Sequence, residues 1–380
     1  MLNIRITLMA IFCLELLAFT ALASEKQLTE DKVAEQASIA ASGLTVTPVL
    51  TVTHQSVNHA KYDEIDRLTE SSETLYSIDI ELEYQLNDLG LIMLLEHNSS
   101  AVDSGVSKTF PQLNSDAGTT TKRTQVSEFY VYGQLTDEGG NWQLGLAEVS
   151  TLIDTSTIAN NEVSQFLSAG LINNQTIMFP DYAVSARIQD LNAFGNTGYR
   201  LLLSSGAGME EVEGYYQDLL LVSASHKGAF SALELVTKDD GYQANLGVWQ
   251  NTNEAPTQSG IYAGIDMTTQ LGDFNIRLGR NITKVDTSTV DPKSVGQFYG
   301  IAFHKELTRG VFGLGFNLSK YQRDNVDTSR NWEAYYRINL NQHMFLTPAL
   351  QWLSAGYATS NEDAKFTDVL LASLRLEVYF

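Results

Sequence analysis

The 380-residue sequence predicts an all-β protein, a transmembrane antiparallel β-barrel of about 16 strands with an inserted, partly helical constriction loop. Three observations carry that expectation. Large apolar residues recur with a period of two through most of the chain. The alternating segments are roughly 9–11 residues long, the length needed to cross a bilayer at a tilt. Their connectors alternate between tight turns and long polar stretches, as in outer-membrane barrels.

The first 23 residues read as a secretory signal peptide: Arg5, an apolar run from Ile6 to Phe19, then Ala21-Leu22-Ala23 as a small-x-small cleavage pattern. Removing them removes Cys13, the only cysteine, so disulfides, zinc-thiolate sites and cysteine nucleophiles are excluded from the mature chain. A net charge of −21 argues against nucleic acid as a partner. After Phe19 no run of about 18 apolar residues occurs, so any crossing of a membrane is by strands. Residues 24–43 form a polar lead-in with helix-forming composition.

The barrel is expected over residues 44–380. Leu44, Val46, Pro48, Leu50 and Val52 alternate with threonines; in YSIDIELEYQL, residues 76–86, Ile78, Ile80, Leu82 and Tyr84 alternate with Asp79, Glu81 and Glu83. Alternating segments follow at 90–97, 127–135, 142–148, 181–189, 199–205, 229–237, 242–249, 261–269, 274–280, 297–305, 311–320, 331–340, 344–353 and 368–380. A further apolar piece at 218–223 is assigned to a loop, because single-chain bacterial barrels carry even strand numbers. Lys238-Asp239-Asp240-Gly241 and Asn341-Gln342-His343 read as tight turns, and residues 98–124 as a long polar loop.

Period two alone does not separate a barrel in lipid from a secreted β-sandwich with an apolar core, which stays as the alternative fold. The barrel is favoured by the aromatic Phe380 closing an amphipathic last segment, and by aromatic pairs read as interfacial girdles (Phe129 and Tyr130, Tyr215 and Tyr216, Tyr335 and Tyr336). The Phe380 ending resembles the C-terminal signal of bacterial outer-membrane barrels. On this reading Asp79, Glu81 and Glu83 face a water-filled lumen.

Residues 152–181 break the alternation. Ile158, Phe166, Leu167 and Leu171 recur at helical spacing, and Asn160 or Asn161 is placed to cap a helix start. A long insertion in a barrel either covers the mouth or folds inside as a constriction. Its amides and acids, Asn160, Asn161, Glu162, Gln165, Asn173, Asn174 and Asp181, are candidates for lining the passage or for anchoring the loop, with Phe166 and Phe179 as candidates to pin it to the wall. Alternation places Arg187 in the lumen, where an arginine facing acids such as Glu81 would set up a transverse field. Arg337 with Glu333, and Arg375 with Glu377, are charge pairs that act alike or neutralise one another. No Gly-x-Ser-x-Gly or His-Glu-x-x-His motif occurs, no histidines sit at tight metal-ligand spacing, and no enzyme, metal or cofactor is expected.

Two blocks resemble bacterial carbohydrate-selective porins. In the first, Ala159, Asn160, Asn161, Glu162, Gln165, Phe166 and Leu167 precede Asn173, Asn174, Ile177, Phe179 and Pro180. In the second, Glu333, Tyr335, Tyr336 and Arg337 precede Leu346, Thr347, Pro348, Leu350 and Gln351, after which Ser354-Ala355-Gly356 replaces the family's Asn-Pro. The resemblance implies a 16-stranded channel in the outer membrane of a Gram-negative bacterium, passing small hydrophilic solutes and above all sugars. It implies outer-membrane lipid and the barrel-assembly machinery as partners, and a monomer or a homotrimer. A general or cation-preferring channel on the same barrel is the alternative function.

Overall fold

Every alternating segment forms a strand in the computed structural model, which describes residues 43–62, 72–99, 105–116, 122–136, 139–209, 228–253, 256–288, 290–291, 294–324, 326–354 and 366–380. The signal peptide, most of the lead-in, Tyr215–Tyr216 and the 218–223 piece lie outside these residues. The chain divides into Met1–Thr45 and Val46–Phe380, and the barrel belongs to the second unit.

The strands are β1 (Leu44–Tyr62), β2 (Ser72–Leu86), β3 (Leu89–Asn98), β4 (Arg123–Gln134), β5 (Asn141–Ala147), β6 (Ala183–Asp190), β7 (Thr197–Ser205) and β8 (Ala229–Asp239). They continue with β9 (Tyr242–Asn251), β10 (Gln258–Thr269), β11 (Gly272–Asn281), β12 (Val295–Leu307), β13 (Gly310–Tyr321), β14 (Ser329–Asn341), β15 (Met344–Ser354) and β16 (Phe366–Tyr379). Each pairs with its neighbours in sequence, and β16 pairs with β1, so the sheet closes as a 16-stranded antiparallel barrel. Closure leaves no unpaired edge. The Phe380 N–H adds a bond to the carbonyl of Pro48.

The period-two pattern sorts side chains between two environments. Outward positions carry Leu203, Leu246 and Leu350, each more than half exposed. Inward positions carry Ser185, Arg200, Glu234, Asn245, Glu333 and Arg375, all buried. Large apolar residues outside and polar ones inside invert the usual core.

The aromatic pairs behave differently from the girdle expectation. Phe129 is exposed and Tyr336 partly so, but Tyr335 is buried in the lumen. Adjacent residues of a strand point to opposite faces, so a pair supplies one outward ring at most.

Pro348 sits mid-strand in β15, opposite Leu374 of β16. On the other side the β14 ladder is interrupted between Tyr335↔Ala349 and Ile338↔Leu346, as a residue without an N–H requires.

Candidate functional site

Among the described residues, two connections fold into the barrel. The β5–β6 connection, residues 148–182, is the insertion the sequence marks. Its only helices are one 3-10 turn at Val149–Thr151 and α2 (Ala169–Ile172), preceded by α1 (Val106–Thr109) elsewhere in the chain. No helix starts at Asn160 or Asn161. Asn161 Oδ1 instead accepts from the N–H of Ser164 at 2.7 Å and closes a single turn. The helix fails to extend because the wall captures its backbone groups. Arg375 takes the carbonyls of Glu162 at 2.6 Å and Gln165 at 2.8 Å. The carboxylate of Glu333 takes the N–H groups of Leu167 at 2.8 Å and Ser168 at 2.9 Å.

Further anchors come from β8, β10 and β11. Arg277 donates to the carbonyls of Ile172 (2.6 Å) and Asp154 (2.9 Å) and to Asn160 Oδ1 (3.0 Å). Glu234 accepts the Asp154 N–H at 2.9 Å and pairs with Arg200 at 2.5 Å. Asp266 holds Ser156 and Thr157. Asp154 has a φ of 52°, a left-handed conformation that Asp tolerates better than most residues. Apolar packing completes the seal: Ile158, Ala159, Phe166, Leu171 and Ile172 cluster with Ala302, Tyr335 and Ala349 of the wall. Gly315 makes room for this, since a Cβ there would lie 2.6 Å from Leu171 and 2.9 Å from Phe166.

The β3–β4 connection also turns inward, although the sequence reads as a polar surface loop. Within it, Val106, Phe110 and Leu113 bury themselves against Val57, Leu353, Val369 and Leu371. Ser107 N–H donates to Glu73 at 2.5 Å, and Gln351 donates to the Leu113 carbonyl at 3.0 Å. The apolar spacing of Val106, Phe110 and Leu113 was the available signal.

A cavity of about 460 Å³ remains, bordered by β2 to β4, by residues 114–116 and by the β5–β6 insertion. It falls in the ~300–1,000 Å³ range of small-molecule sites. Six carboxylates line it (Asp79, Glu96, Asp116, Glu148, Glu162 and Asp181), against one guanidinium, Arg123. Arg123 stands 3.7 Å from Glu96 and 3.8 Å from Asp181, with its guanidinium 5.8 Å from the Tyr182 ring centre. Burial pushes Asp116 up to about 6 and Glu148 up to about 7. Glu162 is raised as well, by burial and by the Glu148 charge.

The sequence candidates divide between lining and anchoring. Glu162, Asn173, Phe179 and Asp181 line the cavity. Asn160, Asn161, Gln165, Asn174 and Glu333 hold the insertion: Gln165 accepts from the N–H groups of Asn160 and Asn161, and Asn174 donates to the carbonyl of Leu278. Phe166 packs edge-on to Tyr335 at 5.1 Å. Glu81 and Arg187 lie on the same side of the barrel but outside the cavity lining, with Tyr130 in electrostatic reach of both. Arg187 donates to Asn141 Oδ1 at 3.4 Å. Arg337 does not pair with Glu333. Four residues apart on one strand, the two are separated by roughly 13 Å, and Arg337 pairs with Glu377 at 2.7 Å instead. Sequence reasoning missed Glu96, Asp116, Arg123, Glu148, Asp154, Glu234, Asp266 and Arg277.

No family model matches the chain, and no curated protein matches it. Solved structures do. Pseudomonas putida OprB at high pH superposes with a TM-score of 0.70 at 12% identity, covering 92% of this chain and 97% of that one. The fold is that of the 16-stranded porins. A mutant of Rh. blastica porin matches at a TM-score of 0.54 and 11% identity, over 89% of this chain and 100% of that one. Salmonella typhi OmpF, solved with daunomycin, matches at 0.54 and 10%, over 90% and 99%. At these identities the likeness to the porins is one of fold.

Proposed function

We propose that the chain is an outer-membrane channel of a Gram-negative bacterium through which small hydrophilic solutes, above all sugars, diffuse passively. The carrying observation is the cavity left beside two inward connections, in a closed barrel whose outer face is apolar. Two further features support it. The outward Leu-rich face suits hydrocarbon, where an open sheet edge would not survive. The cavity offers Asn114 and Asn173 for hydroxyls, with Phe179 and Tyr182 for an apolar sugar face. The two motif blocks that resemble carbohydrate-selective porins point the same way. Residues 1–23 serve as the export signal and Phe380 as the mark read by the barrel-assembly machinery. The unit works as a monomer or a homotrimer, with no cofactor and no catalytic step.

A second reading, a cation-preferring channel without sugar selectivity, is favoured by the six carboxylates around the cavity. Conductance of refolded protein in a planar bilayer separates the two. Current steps reduced by glucose or maltose-type sugars support the sugar channel. A reversal potential strongly biased to cations, with no block by any sugar, selects the second reading.

A further inference from the structure

We propose that Tyr132 is a stacking platform for a sugar in its pyranose ring form, a second station on the solute path toward the rim of short turns. This rests on the sugar-channel reading and deepens it.

Cross-strand register puts five inward residues in one row: Gln85 on β2, Gly90 on β3, Tyr132 on β4, Gln143 on β5 and Arg187 on β6. Gly90 sets how the ring lies. It has no side chain, and a Cβ there would overlap the Tyr132 ring. The ring therefore lies across β3, against the wall. Its hydroxyl reaches β2, where it donates to Glu83 Oε1 at 2.6 Å and lies 3.0 Å from Gln85 Oε1. One ring face rests on the wall. The other turns to the lumen, and Tyr132 keeps part of its surface exposed.

Other inward rings are covered. Trp249, Tyr262, Phe298 and Tyr335 are buried, and Phe345 lies beneath the Arg337 guanidinium, which stands 3.5 Å from its ring centre. Tyr132 is open, with the Tyr130 ring 6.3 Å away on the same strand. A pyranose has an apolar C–H face ringed by hydroxyls. An uncovered aromatic face suits the first, and polar groups at its margins suit the second. The row supplies those groups. Exposed Gln85 stands at one end, and at the other stands Arg187, whose guanidinium holds Asn141 by a long bond of 3.4 Å. The platform is separate from the acidic cavity: Asp79 borders the cavity, and Gln85 lies further along β2 by roughly 20 Å.

The test is single-channel current through the full chain in a planar bilayer, titrated with glucose and with mannitol, an acyclic polyol that has hydroxyls but no ring. Glucose is expected to half-block at a concentration on the order of fivefold below mannitol, the scale of one aromatic contact. Tyr132→Leu should raise the glucose value about fivefold and leave mannitol unchanged. Tyr132→Phe keeps the ring and loses the hydroxyl, so its glucose value should stay within about twofold of the native chain. Gly90→Ala should act like Tyr132→Leu, because it pushes the ring off the wall. Block by glucose no stronger than block by mannitol overturns the inference while the sugar channel stands. A glucose value unmoved by Tyr132→Leu does the same, and so does a loss in Tyr132→Phe as large as in Tyr132→Leu, which would assign the effect to the hydroxyl. Open channels that no sugar blocks overturn both readings. The native glucose-to-mannitol ratio decides the question even if the variants do not assemble.

Discussion

The N–H of Ser115 donates to the carbonyl of Leu167 at 2.9 Å, joining the two inward connections backbone to backbone. Gln351 backs this contact, since its amide donates both to the Leu113 carbonyl and to Glu333, which in turn holds Leu167 and Ser168. The two connections therefore brace one another, with β14 and β15 among the strands that hold them, and the cavity lies between them and β2 to β4.

Glu333→Ala should loosen that brace. It removes the acceptor for two backbone N–H groups and one side-chain amide, and bonds to a charged group contribute about 1.5–3 kcal/mol each. Single-channel records should show larger open-state noise and a raised mean conductance. A quiet, unchanged current would mean that Glu333 does not hold the insertion.

Arg277→Ala should destabilise the barrel by about 3–5 kcal/mol, because it leaves the carboxylate of Asp154 buried without its cation, 3.6 Å away in the native chain. Adding Asp154→Asn should recover part of the loss. Urea unfolding in detergent micelles gives both values, and a double variant no more stable than Arg277→Ala would refute the coupling.

Cation preference should fall with pH. Asp116 and Glu148, held up at about 6 and about 7 by burial, face Ser77, Glu96, Arg375 and Glu377 in the first case and Ser150, Glu96 and Glu128 in the second. Both are ionised at pH 8 and largely protonated at pH 5, so the cation-to-anion permeability ratio should drop between those values. The native chain binds more protons than the unfolded chain in this window, so stability contributed by these groups rises as pH falls from about 7 toward about 4. Reversal potentials from pH 8 to pH 5 read the first effect, and a flat profile would contradict the placement of these acids along the ion path.

Leu246→Arg tests the outer face. Leu246 is 58% exposed in mid-strand, and an outward arginine near the bilayer midplane costs roughly 2–4 kcal/mol. Refolding into lipid vesicles should be impaired by about that amount. An unaffected refolding equilibrium would mean that this face meets water.

The sequence was legible wherever a residue's environment depends on its immediate neighbours. Period two fixes which face Asp79, Glu81 and Arg187 share, and the loss of that period at residue 152 marks the insertion. The anchors were not legible, because each joins residues far apart in the chain: Arg277 with Asp154, Glu333 with Leu167, Arg375 with Glu162. Nothing local distinguishes an inward Arg277 that binds a loop from one that lines a pore. The same limit made Ile158, Phe166 and Leu171 look helical, when their spacing reflects a segment pressed against the wall. Arg123 was missed because β4 begins four residues before its alternating part.

The pairing of β1 with β16 places partners such as Leu50 and Val378 side by side, although more than 300 residues separate them. Such a contact cannot form until nearly the whole chain has been synthesised, and its closure entropy is the largest in the molecule. Until then both outermost strands present bare N–H and C=O groups. A chain short of its last strand would have two unpaired edges, and any strand donated by another molecule would compete with its own last one. A chaperone that occupies either edge would meet that hazard, and truncation within β16 should turn a closed barrel into an aggregate.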